Sequence, residues 1–337
     1  MPWPTDAWPE GPVPDGVRLG DLLDRVMDPD RDLARTRAVV VVHRGRLVAE
    51  RYGDRTDAWG AVTGDPVDAD TPLISWSMAK SMLHAVVGML VDEGRLDLDA
   101  PAPVAAWHDD ERSAITLRHL LRMRDGLDFV EDYDPDSGRS DVIEMLFGQG
   151  EPDTAAFAAA RPLAHEPGTR FNYSSGTSNI VSSIVRDVLG GEVPYRRFLH
   201  QRLFAPIGMT TADPRFDAAG TWVASSYVWA TARDMARFGY LYLRDGVWDG
   251  TRLLPASWVD DGRRAQAVDP DDGRLYGSHW WVTGDAHGTF WANGYEGQSI
   301  LVSPGADLVV VRLGKSTKEQ YPALADWRAA MVDAFAG

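Results

Sequence analysis

SMAKSMLHAVVGMLVDE, residues 77–93, is the most apolar helical pattern in this chain of 337 residues. Its apolar residues recur with the spacing of an α-helix, and Gly94 follows, a residue type that commonly ends a helix. The pattern therefore predicts a helix that is buried on most sides. One basic residue, Lys80, lies within it.

Strand patterns lie on both sides of this helix in the sequence. The β-branched runs 38–43 and 46–52 are separated by Arg44 and Gly45, which predicts a hairpin. Further runs precede a helical pattern at 321–335, and tight turns between them imply antiparallel pairing in one sheet that the hairpin can join. These later strands are predicted at 278–282, 288–291, 299–303 and 307–313.

The chain between the two sets of strands is mostly helical in pattern. We therefore predict an α/β fold, or α+β in terms of layers, in which an antiparallel sheet is flanked by helices and an all-helical region is inserted. An ordered N-terminal arm is expected as well, because Trp3 and Trp8 would be costly to leave in water. The predicted units are the arm (1–20), the α/β domain (21–97 and 221–337) and the helical domain (98–220), with the active site in the cleft between the domains.

The composition excludes several kinds of partner. The chain has 34 Lys and Arg against 50 Asp and Glu, a formal net charge of −16. Nucleic acids and anionic membrane surfaces need clustered basic residues, so neither is expected as a partner. The first residues carry neither a basic segment nor an apolar segment of a leader, and no run of about 18 apolar residues occurs, which favours a cytoplasmic protein.

The common cofactor and metal motifs are absent from the sequence. It contains no GxGxxG and no GxxxxGK, so the glycine loops that hold dinucleotides and phosphates are missing. It contains no GxSxG elbow and no HExxH helix either. Isolated histidines such as His84 and His119 are more often packed side chains than ligands. We therefore expect no cofactor and no metal.

The motif that remains is Ser77-Met78-Ala79-Lys80. If a helix begins at Ser77, the side chains at i and i+3 share a face, so the Lys80 amine can reach the Ser77 hydroxyl. A neutral amine can act as the base for that hydroxyl, and burial among apolar residues lowers the pKa of a lysine. The alternative is a lysine at the helix flank that extends its amine into water.

The scarcity of lysine favours the catalytic interpretation. Only Lys80, Lys315 and Lys318 occur among the 34 basic residues, so the chain uses arginine almost everywhere else. Arginine cannot be deprotonated in a protein, whereas lysine can. A lysine inside the most apolar helix therefore suggests a chemical requirement for an amine that loses its proton.

Two further segments carry candidate catalytic groups. Tyr173 lies in FNYSSGT, residues 171–177, and a neighbouring ammonium can lower the pKa of a tyrosine so that it relays a proton. Helix capping by the serines is the alternative for this segment. The second segment, ANGYEGQ at 292–298, leads into a strand, and its glycines allow close backbone approach to an extended substrate or an oxyanion. By itself it is a hairpin turn.

In this order and spacing the three segments resemble the serine β-lactamase and penicillin-recognising superfamily, with its SxxK, Tyr-x-Asn or Tyr-x-Ser, and [Lys/His/Tyr]-x-Gly motifs. Longer stretches resemble the class C β-lactamase-like branch, closest in pattern to 6-aminohexanoate-dimer hydrolases and carboxylesterases. These stretches include LRHLLRMRDGLDF, RFNYSSGTSNIVSSIV and NGYEGQSILVSPGADLVVVRLG. The resemblance covers residues from about 38 to 335.

The resemblance implies roles for specific residues. Ser77 would be the acylated nucleophile, Lys80 would share its proton, and Tyr173 would be the general base or acid. The backbone N–H groups of Ser77 and Gln298 would form the oxyanion hole. Lys315-Ser316-Thr317 follows the last strand instead of entering one, so we do not assign it to the third motif. The implied substrate-binding residues are Tyr133, Ser175, Tyr295 and Gly297.

Two departures from the β-lactamase pattern bear on the substrate. Ser175 stands where true β-lactamases carry Asn, and Tyr295 stands where they carry Lys, so the partner for a substrate carboxylate is missing. The sequence therefore favours a serine hydrolase of small linear amides or esters, like the 6-aminohexanoate-dimer hydrolases and carboxylesterases. A D-alanyl-D-alanine carboxypeptidase or class C-type β-lactamase is one alternative, and a non-catalytic ligand-binding homologue is another. A homodimer is left open.

Overall fold

The central feature is an antiparallel sheet of eight strands in the order β10-β11-β12-β13-β14-β15-β1-β2. The computed structural model describes residues 3–33, 35–57, 61–133 and 138–336. The strands of this sheet are β1 (Arg35–His43), β2 (Arg46–Tyr52), β10 (Ala267–Val268), β11 (Leu275–Tyr276), β12 (Trp281–Val282), β13 (Phe290–Gly294), β14 (Gln298–Ser303) and β15 (Leu308–Lys315).

Short strands outside the main sheet form three smaller sheets in the described residues. The sheet β5-β7-β6 matters most for the site, because β5 ends just before Ser77. The remaining strands are β3 (Asp54–Thr56), β4 (Val62–Pro66), β5 (Leu73–Ile74), β6 (Asp213–Pro214), β7 (Val228–Ala230), β8 (Val247–Trp248) and β9 (Thr251–Arg252).

Helices cover both faces of the main sheet and fill the middle of the chain. They are α1 (Leu19–Met27), α2 (Ala79–Asp92), α3 (Leu117–Leu121), α4 (Asp141–Phe147), α5 (Thr154–Ala159), α6 (Ser175–Leu189), α7 (Glu192–Phe198), α8 (Ala232–Leu243), α9 (Ala256–Arg263) and α10 (Tyr321–Phe335). A π-helical segment, Leu199–Phe204, continues α7.

The central strands separate two hydrophobic cores. Val40 and Val42 of β1 pack in the core that contains α2 and α8, whereas Val39 and Val41 face the core formed with α1 and α10. Successive side chains of a strand point to opposite faces, so a strand buried on both faces is apolar throughout. Gly239 allows α8 to pack closely, because a Cβ atom there would lie 2.7 Å from a methyl group of Val309.

Helix α2 lies in the interior of the protein. Twelve of its 14 residues, from Ala79 to Leu90, are buried, and it contacts α6 and the strand β13. Because α2 begins directly after Ser77 and α6 begins directly after Ser174, the starts of these two helices bring the SxxK and Tyr segments together.

The N-terminal arm is packed against the protein. Trp3 lies 5.4 Å from Trp248 and 5.6 Å from Tyr240, measured between ring centroids. The indole N–H of Trp8 donates to the carbonyl of Arg233 at 3.2 Å. The expected burial of the arm tryptophans agrees with these contacts. Residues 19 and 20, which were assigned to the arm, begin α1.

The expected fold class is confirmed: the protein combines helices with an antiparallel sheet. The helix expected at 77–93 starts two residues later, because Trp76–Met78 forms a 3-10 turn before α2. The region predicted as all-helical also contains β6, which pairs with β7. The division at residues 97 and 221 stays a prediction. In the described part of the chain, no helix is long and apolar enough to cross a membrane.

Candidate active site

Ser77 lies in a tight turn between β5 and α2. Ser75 anchors this turn, because its N–H donates to the carbonyl of Val228 at 2.8 Å and its hydroxyl donates to the carbonyl of Ser226 at 3.1 Å. Trp76, the next residue, has a φ of 45°, a left-handed conformation that is rare for a bulky side chain. The turn therefore holds Ser77 in a strained and well-anchored position, as functional sites often do.

The Lys80 ammonium is aimed at the Ser77 hydroxyl. Its Nζ atom lies 2.8 Å from the Ser77 Oγ atom, 3.0 Å from the Ser175 Oγ atom and 3.0 Å from the carbonyl oxygen of Ser225. The side chain is 2% exposed. Burial lowers the pKa of Lys80 to about 8, against an opposing effect of the Glu131 carboxylate. A lysine with its amine in water, the alternative considered above, is therefore excluded.

Tyr173 lies beside the same two groups. The Lys80 Nζ atom is 4.8 Å from the centre of the Tyr173 ring, and the phenol interacts with the Ser77 hydroxyl. Burial and the charge of Glu131 raise the pKa of Tyr173 above its ordinary value. The expectation that a neighbouring ammonium lowers this pKa was wrong, because desolvation of the phenolate dominates. Tyr173 is therefore a protonated phenol at neutral pH.

The sequence analysis missed Glu131, which connects two of its candidates. One carboxylate oxygen accepts hydrogen bonds from the Ser175 hydroxyl at 2.6 Å and from the Tyr133 phenol at 3.0 Å. The other accepts from the Ser175 N–H at 2.7 Å, in the first turn of α6. Ser175 itself is fully buried. Glu131 thus places a negative charge next to the hydroxyl that contacts Lys80.

Tyr133 and Tyr295 form a stacked pair at the site. Their ring centroids are 4.5 Å apart with an interplanar angle of 25°, and Trp76 meets Tyr295 edge-on at 5.9 Å. All three rings line a cavity of about 880 Å³ whose other walls include Phe147 and Trp229. The position where β-lactamases carry a cation is therefore part of an aromatic wall.

A second cavity, of about 630 Å³, lies on the Tyr173 side of the site. Tyr173, Glu131 and Asn293 line it together with several acidic side chains and Arg274. The candidate catalytic groups therefore lie between an aromatic cavity and a polar one. In the residues that the structure describes, no group of three or more His, Asp or Glu side chains is arranged to hold a metal.

The segment 294–298 lies against the Ser77 turn. A Cβ atom on Gly294 would be 2.7 Å from the Ser75 carbonyl oxygen, so the close approach requires glycine. The Gln298 side chain donates to the carbonyl of Ile74 at 3.0 Å, which ties the start of β14 to the end of β5. Gly297 has a φ of 75° and packs against Leu324. The N–H donation by Ser77 and Gln298 and the substrate contact of Gly297 stay predictions.

Two cations behind this segment went unassigned in the sequence analysis. Arg312 is fully buried and donates to the carbonyl oxygens of Glu296 at 3.1 Å and Gly297 at 3.2 Å, which supports the turn. Lys315 lines the aromatic cavity, and its Nζ atom is 2.9 Å from a Glu296 carboxylate oxygen. The KST segment is thus near the site although it does not form the third motif.

Comparison with known proteins agrees with this geometry. The beta-lactamase family model matches residues 23–334. The chain belongs to the beta-lactamase family. The 6-aminohexanoate-dimer hydrolase of Paenarthrobacter ureafaciens is 30% identical over 350 aligned positions, which cover 91% of this chain and 87% of that protein. Esterase homologues also occur among the relatives.

Solved structures of the beta-lactamase family share the fold. A Bacillus anthracis protein that provisionally carries the 6-aminohexanoate-dimer hydrolase name has a TM-score of 0.79 and 23% identity, covering 96% of this chain and 87% of its own. A family VIII carboxylesterase has a TM-score of 0.67 and 17% identity, covering 94% and 99%. At these identities the likeness establishes the fold, and the substrate must be argued from the site.

Proposed function

We propose that this beta-lactamase family protein is a serine hydrolase that cleaves small linear amides or esters through an acyl-enzyme on Ser77. The observation that carries the proposal is the 2.8 Å contact between the Lys80 amine and the Ser77 hydroxyl in a buried site. A buried lysine whose pKa is about 8 supplies a usable fraction of neutral amine near neutral pH.

The proposed roles follow from the positions of the groups. Neutral Lys80 accepts the Ser77 proton as the hydroxyl attacks the carbonyl carbon. The backbone N–H groups of Ser77 and Gln298 stabilise the tetrahedral oxyanion. Tyr173 is protonated at neutral pH and beside Ser77, so it acts first as the acid that gives a proton to the leaving amine or alcohol. Water then hydrolyses the acyl-enzyme.

The aromatic cavity supports a linear substrate over a β-lactam. Tyr295 is stacked on Tyr133 where a β-lactamase has its lysine, and the nearby Lys315 is paired with Glu296. A substrate carboxylate therefore lacks a free cation from these two positions. The cavity of about 880 Å³ has room for an extended acyl chain. The named activities of the 6-aminohexanoate-dimer hydrolase and carboxylesterase relatives are consistent with this substrate class.

Turnover assays test the proposal. Purified protein would be assayed with p-nitrophenyl butyrate, the linear dimer of 6-aminohexanoate, and benzylpenicillin. We expect hydrolysis of the ester or the amide, which is lost in Ser77→Ala and retained in Ser183→Ala, whose hydroxyl bonds only within α6 at the carbonyl of Ile180. Faster hydrolysis of penicillin than of both linear compounds would favour the β-lactamase alternative. No turnover of any compound would favour a ligand-binding protein.

A further inference from the structure

A continuous line of hydrogen bonds leads from Ser77 to a carboxylate. The Lys80 Nζ atom contacts the Oγ atoms of Ser77 at 2.8 Å and Ser175 at 3.0 Å. The Ser175 hydroxyl in turn donates to the Glu131 carboxylate at 2.6 Å. The third contact of Lys80, the carbonyl of Ser225, can accept a hydrogen bond but cannot pass a proton on. Of the three contacts, Ser175 alone joins the lysine to an acid.

The resting protonation of Lys80 presents a difficulty that this line can solve. A lysine with a pKa of about 8 is mostly an ammonium at pH 7 or below, and an ammonium cannot accept the Ser77 proton. Lys80 and Ser175 are both buried, so bulk water is a poor acceptor for the excess proton. An internal acceptor within hydrogen-bond reach would remove this barrier.

We propose that Ser175 relays a proton from Lys80 to Glu131, so that a neutral amine is available for Ser77 during acylation. Lys80 gives one proton to the Ser175 oxygen while the Ser175 hydroxyl proton passes to the Glu131 oxygen. The ion pair becomes a neutral amine and a carboxylic acid, Ser175 remains a hydroxyl, and the net charge does not change. The inference rests on the proposed nucleophilic role of Ser77 and adds Ser175 and Glu131 as positioning residues for it.

The relay makes a specific kinetic prediction. The state with neutral Lys80 and protonated Glu131 contains as many protons as the ion pair, so its population does not depend on pH below the pKa of Lys80. Acylation then persists at acidic pH. Without the relay, the rate follows the fraction of neutral Lys80 and falls about tenfold for each pH unit below its pKa.

The other titratable groups around Lys80 and Glu131 do not interfere between pH 6 and 8. Burial raises the pKa values of the three nearby phenols well above this range, and it lowers the pKa of the nearby imidazole to about 4. Arginine keeps its charge throughout. These groups are Tyr133, Tyr173, Tyr276, His279 and Arg274.

The test uses a fluorophosphonate probe with the purified full chain. Ser77 attack forms the O–P bond and releases fluoride, which needs no proton from Tyr173, so the labelling rate reports activation of the nucleophile. We would measure this rate from pH 6 to pH 8 in wild type, Ser175→Ala and the surface control Ser183→Ala. The relay predicts a fall of about 100-fold in Ser175→Ala and a fall at least tenfold smaller in wild type and the control.

A double-mutant cycle tests the Glu131 step. If Ser175 acts by passing a proton to Glu131, then Ser175→Ala changes the pH profile in wild type but not in a Glu131→Gln background. Ser175 acting only through packing would give the same change in both backgrounds, which overturns the relay. A wild-type rate that falls as steeply as that of Ser175→Ala overturns it as well and leaves Ser77 as a nucleophile. Absence of labelling in wild type at every pH overturns both the relay and the proposed function.

Discussion

The Nζ atom of Lys80 lies 2.8 Å from the Oγ atom of Ser77, with the serine in a 3-10 turn and the lysine in the first turn of the following helix. The two residues are three positions apart, so local backbone geometry alone brings them into contact. What makes the contact chemically useful is tertiary: α6 and the segment around Ser225 bury the amine and supply its other partners. The predictions below test this contact and its surroundings.

The first prediction concerns the titration of Lys80. The chain has three lysines, so protein labelled with ¹³C at the lysine ε-carbon gives three resonances. We expect one of them to titrate near pH 8 and to be absent from Lys80→Arg. In Glu131→Gln this pKa should be lower still, because the carboxylate that favours the ammonium is gone. A Lys80 pKa above 10 in wild type would show that the amine is not poised as a base.

A second prediction separates charge from proton transfer at position 80. Arginine keeps a positive charge but cannot accept a proton at any accessible pH. We therefore expect Lys80→Arg to lose nearly as much kcat/KM on p-nitrophenyl butyrate as Lys80→Ala, by about 1,000-fold or more. Thermal unfolding of both variants is the control for a damaged fold. Activity close to wild type in a folded Lys80→Arg would refute the role of Lys80 as a base.

Tyr173→Phe should affect substrates according to their leaving group. Because Tyr173 is a protonated phenol beside Ser77, its removal deprives the leaving amine of its acid. We expect kcat on a linear amide to fall by about 100-fold to 10,000-fold. The p-nitrophenolate ion leaves without a proton, so turnover of its ester should fall much less. Equal losses on the two substrates would indicate that Tyr173 acts before the leaving group departs.

The fourth prediction concerns stability at acidic pH. His279 bonds to the Leu121 carbonyl at 2.8 Å and to the Ser178 hydroxyl at 3.0 Å, and burial lowers its pKa to about 4. The unfolded chain therefore binds more protons than the folded chain between pH 6.5 and 4. The stabilisation from neutral His279 is complete above pH 6.5 and is lost as the pH falls towards 4, an effect of about 3 kcal/mol.

Urea unfolding at pH 7.5 and pH 5 measures this effect. His279→Asn suits the test, because asparagine tolerates the positive φ of this residue. We expect a smaller loss of stability between the two pH values in His279→Asn than in wild type. The exposed His108→Asn is the matched control and should retain the wild-type loss. His84, whose pKa is lowered to about 3 by burial, contributes in the same direction and remains in both variants.

Much of the fold could be predicted from the sequence because its elements carry strong local signals. The β-branched runs predicted the β1–β2 hairpin, and the last helix was predicted at its observed bounds, Tyr321–Phe335. The strand predicted at 278–282 is only Trp281–Val282. His279 has a positive φ and its N–H bonds to the carbonyl of Leu121, so a tertiary contact overrides the local pattern.

The site was predictable only where its members are close in sequence or belong to a known motif. Ser77 and Lys80 share a helical face, and the resemblance brought Tyr173 to them. Glu131 is 44 positions from Ser175 and lies in a loop without periodicity, so no local pattern marks it. An acidic residue two places before the candidate Tyr133 was the only sequence signal available.

The direction of the Tyr173 pKa shift was missed for a related reason. The sequence indicated that an ammonium would be near the phenol, and that ammonium is present, 4.8 Å from the ring centre. It did not reveal how completely the phenol is desolvated or that a second charge, Glu131, lies nearby. Burial and long-range charge are properties of the assembled structure, and they determine the sign of this shift.

The most direct test of the central claim is intact-protein mass spectrometry after incubation with a fluorophosphonate probe, followed by peptide mapping. Nucleophilic activation of Ser77 by Lys80 predicts one adduct per chain in wild type, located on Ser77, and no adduct in Ser77→Ala. An adduct that persists in Ser77→Ala, or the absence of any adduct on folded wild-type protein, would contradict the assignment of Ser77 as the nucleophile.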